Sequence, residues 1–254
     1  MTKKQLRNLL EEKYNQYNNQ SFIESDPISI PHKFTKKEDI EISGFLAATI
    51  AWGQRKSIIR NANRIIELMH NSPHDFLMNA KQKDFEKFNC CIHRTFNGDD
   101  CIYFLKSLQN VYLKHGGIEN CFNNALKKEN DLRFAISYFR DMFFELPHAK
   151  RTQKHFSNPD KKSTAKKINM FLRWMVRNDN RGVDFGIWKK IKPNQLYIPL
   201  DVHVGNTARR LGLLKRKQND WYAVVELTNC LRDFDADDPV KYDFALFGLG
   251  VNEV

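Results

Sequence analysis

Apolar residues recur at three- and four-residue intervals along almost the whole chain, and no stretch keeps the two-residue alternation of a half-buried strand. That periodicity predicts an all-α fold. Helices are expected at 1–17, 39–51, 54–69, 99–114, 118–126, 131–146, 163–177, 220–234 and 239–249. A further helix should start at Asp201, and a short one should cover 185–190. Pro27 and Pro31 make 25–31 read as an extended linker, 147–162 reads as polar, basic and irregular, and 196–200 as extended. Gly248 and Gly250 read as the end of the last helix.

A chain of 254 residues can bury the core of one large domain or of two small lobes. Its 41 Lys and Arg against 30 Asp and Glu leave a formal charge of +11. Such an excess favours a polyanionic partner, because each neutralised phosphate releases condensed counterions, though a merely charged surface fits composition equally well. Residues 1–19 are too polar for a secretory signal and no apolar run approaches membrane-spanning length, so a cytoplasmic chain without a membrane partner is expected. Cys90, Cys91, Cys101, Cys121 and Cys230 form an odd, scattered set. Their spacing argues against a disulfide framework, a zinc site or an iron–sulfur loop; buried reduced thiols are expected, with no metal and no cofactor.

The most informative segment is 198–211, IPLDVHVGNTARRL. Pro199 imposes an extended approach, and Asp201 stands where a helix cap is wanted. A cap carboxylate can accept the first free amide protons and still present one oxygen outward. Spacing alone favours a purely structural cap. Upstream, 161–175 carries Lys166, Asn169, Phe171 and Leu172 at helical spacing, with Trp174 read as core.

Together these segments resemble the helix-hairpin-helix DNA glycosylase superfamily, and they are most similar to the 8-oxoguanine DNA glycosylases, the archaeal type included. The resemblance implies a two-lobed all-α fold with the DNA cleft between the lobes: lobe A over about 32–150, lobe B over about 151–254 with the N-terminal helix. It gives Asp201 the support of an oxocarbenium-like sugar and the activation of the nucleophile. It gives Lys166 the attack on C1′ that forms a Schiff base, with Lys162 in that place when the archaeal enzymes set the alignment. Such chemistry needs a neutral amine. A helix start, desolvation and the neighbouring Lys161, Lys162 and Lys167 all favour one.

Two departures from the superfamily stand out. The hairpin's usual Gly-x-Gly is replaced by Lys162, Ser163 and Thr164, so phosphate would be held by these side chains and the helix-start amides. Against endonuclease III-like enzymes, 178–195 is an insertion.

By the same resemblance His203 matches a position near the DNA backbone, although it can equally face the core. Asp243 and Phe247, four apart on one helix face, match the base pocket; the residues alone also fit a core Phe with Asp243 capping or pairing with Lys241. Gln54 or Arg55 matches the residue that fills the gap left by a flipped nucleotide, with a plain interhelical turn as the alternative. Lys215, Arg216 and Lys217 read as a solvated loop. The implied function is a monomeric, nucleoid-associated base-excision glycosylase with AP lyase activity. Its substrate would be double-stranded DNA carrying an oxidised purine such as 8-oxoguanine. A non-catalytic helix-hairpin-helix DNA-binding protein is the alternative, and an RNA-binding helical protein a weaker one.

Overall fold

Among the described residues twelve α-helices run in chain order: α1 (Lys3–Tyr17), α2 (Ser21–Glu24), α3 (Lys37–Thr49), α4 (Arg55–Leu68), α5 (Pro73–Asn79), α6 (Gly98–His115), α7 (Ile118–Lys128), α8 (Leu132–Phe143), α9 (Lys166–Val176), α10 (Val202–Arg210), α11 (Trp221–Arg232) and α12 (Tyr242–Asn252). In this computed structural model the described residues are Met1–Asn252, and among them short 3-10 turns join the helices and no strand forms. The fold is all-α. No helix among the described residues is long and apolar enough to cross a membrane.

The chain divides into two compact units, Ile23–Phe156 and Met1–Phe22 with the residues from Ser157 onward. In the first, Phe45 of α3 gathers Phe104, Phe139, Phe143 and Phe156 around it at centroid distances of 5.4–6.3 Å. These rings come from α3, α6 and α8 and from the end of the unit, so one aromatic cluster ties its beginning to its end. The segment read as an extended linker instead makes two proline-started 3-10 turns, Pro27–Ser29 and Pro31–Lys33. Ile28 and Ile30 are fully buried there, and each Pro takes a first-turn position where its missing N–H costs nothing.

In the second unit Leu6, Leu10 and Tyr14 present one buried face of α1, which packs on α12. Gly248 and Gly250 lie inside α12 and do not end it. A Cβ on Gly248 would fall 2.1 Å from Tyr17 Cδ2, and one on Gly250 would fall 2.8 Å from Thr207 Oγ1. Both glycines are there for close approach of α1 and α10.

The short helix expected at 185–190 does not form. The amides of Phe185 and Trp188 donate instead to the carbonyls of Trp174 and Met175 at the end of α9, and Gly186 takes a left-handed φ of +54°. This stretch satisfies orphan carbonyls of α9 at the expense of its own helix. Val183, Trp188 and Ile191 are buried, so 178–195 anchors itself in the core through these side chains.

A buried ionic network closes the second unit. Arg177 bonds Asp179 (2.8 Å), Asp184 (3.1 Å) and Asp238 (2.8 Å) and donates to the Tyr14 hydroxyl at 2.7 Å. One turn earlier on α9, Arg173 donates to Asp184 at 3.3 Å and to Asp243. Removing one member of such a network costs about 3–5 kcal/mol, because its partner is left charged and dry. All five cysteines are free; Cys91, Cys101 and Cys121 are buried, Cys230 is half-buried, and Cys90 is exposed against expectation because it ends a surface 3-10 stretch.

Candidate active site

Asp201 caps α10. Its backbone is extended (φ −116°, ψ −168°), its Oδ1 accepts from the Val204 amide at 3.0 Å, and its carbonyl accepts from Gly205 N at 2.9 Å. Ile198 and Leu200 are fully buried on the approach, and the Ile198 amide donates to Thr228 Oγ1, so the segment before the cap is fixed. With Oδ1 occupied by the helix, Oδ2 faces Lys166 Nζ at 3.9 Å. Each side chain keeps about a quarter of its surface exposed, so the pair is open to a ligand.

Lys166 is the first residue of α9, and the turn before it is unusual. Lys162 (φ +64°) and Ala165 (φ +49°) are both left-handed, in the region where glycine is the unstrained choice. The chain thus makes a tight hairpin turn without glycine, at a cost of about 1 kcal/mol or more per residue. Ser163 Oγ accepts from the Ala165 amide at 3.2 Å, and the Lys162 carbonyl accepts from Trp221 N at 3.0 Å, which ties the turn to the start of α11. No side chain caps α9, and Asn169 Nδ2 bonds the Thr164 carbonyl. Ser163 and Thr164 are half-buried and Lys162 is exposed. Of the two candidate lysines, Lys166 is the one whose Nζ reaches Asp201.

The next residue carries the surprise. Burial, reinforced by the adjacent Lys166 ammonium, pulls the Lys167 amine down to about 7. The only sequence signal for it was the lysine cluster itself.

Asp243, on the first turn of α12, is buried against Arg173. Burial pushes its carboxyl up to about 6; Arg173 opposes this, Asp201 reinforces it and Lys166 opposes it. Asp243 is therefore within electrostatic reach of the Lys166–Asp201 pair, and its partner is Arg173, not Lys241. Phe247, one turn on, is half-buried and meets His203 edge-on at 6.5 Å between centroids. His203 is exposed, and its Nδ1 lies 3.3 Å from the Gly250 carbonyl. Trp174 is fully buried. Arg216 pairs with Asp220 at 2.5 Å.

Residues 26–252 match a family described as "Protein of unknown function (DUF2400)". The chain belongs to DUF2400. No curated protein and no solved structure matches it. In this DUF2400 member Gln54 and Arg55 stand in the other unit, at the start of α4, with Gln54 exposed and Arg55 half-exposed. Beside them Trp52 stacks on His155 at 5.8 Å and meets His93 edge-on at 4.9 Å, and both imidazoles are buried. His155 Nε2 lies 3.1 Å from the fully buried Asp100 carboxylate. The loop carrying Gln54 is thus held by a packed polar cluster that no sequence motif announced.

Proposed function

We propose that this DUF2400 protein is a DNA glycosylase with AP lyase activity that acts on an oxidised purine such as 8-oxoguanine in double-stranded DNA. The observation that carries the reading is the 3.9 Å approach of the Lys166 amine to the Asp201 carboxylate, from two separate helix starts. A nucleophile beside a rigid base is the arrangement that covalent catalysis needs. Asp201 takes a proton from Lys166, and the freed lone pair attacks C1′. The C1′–N9 bond breaks, its electron pair leaves with the base, and the base is protonated in turn. Once Asp201 has passed that proton on to the departing base, its restored carboxylate charge stabilises the cationic sugar. Opening of the sugar ring gives a Schiff base between Nζ and C1′. Loss of a 2′ proton then expels the 3′ phosphate by β-elimination.

Lys162, Ser163, Thr164 and the uncapped amides of α9 supply the phosphate contacts in this reading. His203 adds an exposed imidazole donor on the first turn of α10. Asp243 and Phe247 border the base, and Gln54 or Arg55 fills the gap left by the flipped nucleotide.

Borohydride trapping on an 8-oxoguanine duplex is the test. A covalent adduct formed by the intact protein, absent in Lys166→Ala and present in Lys162→Ala, is the expected result. Binding to the duplex without any adduct or base release would instead identify a non-catalytic DNA-binding protein, a reading that the glycine-free turn favours.

A further inference from the structure

We propose that the outer face of α4 is a binding surface for the phosphodiester backbone of duplex DNA, in the unit that does not carry the Lys166–Asp201 pair. Lys56, Arg60 and Arg64 recur every four residues, so they form one stripe along the helix. At 1.5 Å per residue the stripe spans about 12 Å, long enough to lie beside three successive phosphates of one strand at a rise of about 3.4 Å each. All three side chains are exposed, and none has an ion pair among the described residues. They line a groove of about 660 Å³ together with Asn61, Asn63 and Glu67, the one acidic residue in its wall. Lys33 donates to Asn63 at 2.5 Å and brings a fourth cation to the rim.

The stripe does nothing for the fold. Ile58, Ala62, Ile65 and Ile66 hold α4 through its opposite, buried face. Like charges four apart on a helix repel, and α4 carries two such pairs in succession. A polyanion laid along the stripe relieves that repulsion and releases counterions. Its identity as DNA rests on the glycosylase reading; the surface itself does not.

The test is the salt dependence of binding to an undamaged duplex, measured by anisotropy with the full chain and with a triple variant, Lys56→Gln, Arg60→Gln and Arg64→Gln. Because all three side chains are exposed and glutamine is a good helix former, an unchanged melting temperature is expected. The logarithmic salt slope should become shallower by about 2–3, close to 0.9 per lost phosphate contact, with affinity down at least tenfold. A triple variant that binds duplex with the slope and affinity of the intact chain overturns this surface and leaves the active site untouched. An intact chain that prefers structured RNA through these same cations also overturns it. Loss of borohydride trapping in Asp201→Asn with duplex binding retained bears on the chemistry alone, so the two failures are separable.

Discussion

Arg173 holds the Asp243 carboxylate in a buried ion pair, two turns along α9 from Lys166 and 70 residues away in sequence from its partner. The pair ties α9 to α12. Its charge state is set by depth as much as by contact, since Asp243 is raised to about 6 despite an arginine at its side.

That raised value fixes a pH dependence. An acid whose folded pKa of about 6 exceeds the ordinary 3.8 binds its proton more tightly in the folded state. The stability it contributes is fully present below pH 4 and is lost as pH rises through 6, by roughly 3 kcal/mol for a shift of this size. Denaturant midpoints between pH 4 and 6 should therefore fall more steeply for the intact chain than for Asp243→Asn. Parallel curves would show that Asp243 does not titrate in this window.

Lys167 works with the opposite sign. Its folded pKa of about 7 lies below the ordinary 10.5, so the folded chain resists a proton that the unfolded chain keeps. Stability is withheld at pH 6 and recovered as pH rises from 7 towards 10. Lys167→Met should stabilise the protein by at least about 1 kcal/mol at pH 6, and the gain should shrink by pH 10. Thermal melts at the two pH values decide it, and an equal gain at both would mean that packing, not charge, was responsible.

The left-handed turn predicts a stabilising substitution. Lys162 is exposed at φ +64°, where glycine carries no steric penalty. Lys162→Gly should raise stability by about 0.5–1 kcal/mol and, under the proposed function, weaken duplex DNA binding through the lost cation. A lower denaturant midpoint would show that the turn relies on the lysine side chain.

Local chemistry explains which features the sequence displayed. The Asp201 cap was legible because a proline, a cap residue and an apolar helix follow one another within a few positions. The pairing of Asp201 with Lys166 was not legible from spacing; it was reachable only through resemblance. Glycine normally advertises a left-handed turn, so a turn built from Lys162 and Ala165 left no mark. The Arg173–Asp243 and Arg177–Asp184 pairs lie between segments whose approach depends on how α9, α12 and the loop after α9 pack together. At 185–190 apolar residues suggested a helix, but unpaired carbonyls of α9 captured those amides, a tertiary demand no local pattern records. The same holds for Gly248 and Gly250, which looked like helix punctuation and are contact points.

Gly250 supplies the last prediction, one that joins packing to chemistry. α12 lies so close to α10 that a methyl on Gly250 would sit 2.8 Å from Thr207 Oγ1 and 3.1 Å from the His203 carbonyl oxygen. A hydroxyl can rotate away, but the backbone carbonyl cannot, so Gly250→Ala must push α10 outward. Overpacking of this kind costs about 1–3 kcal/mol. Because Asp201 caps α10, such a displacement also disturbs the 3.9 Å approach to Lys166. A misplacement of about 1 Å is worth on the order of 100-fold in rate where two groups must meet one atom, so a shift of a few tenths of an ångström is worth roughly a few-fold. Gly250→Ala should therefore lose borohydride trapping out of proportion to its loss of stability, whereas a destabilising change on the far side of α12 should not. Trapping yield at matched folded fraction is the measurement, and an adduct formed at the normal rate would mean that α10 does not transmit the strain to Asp201.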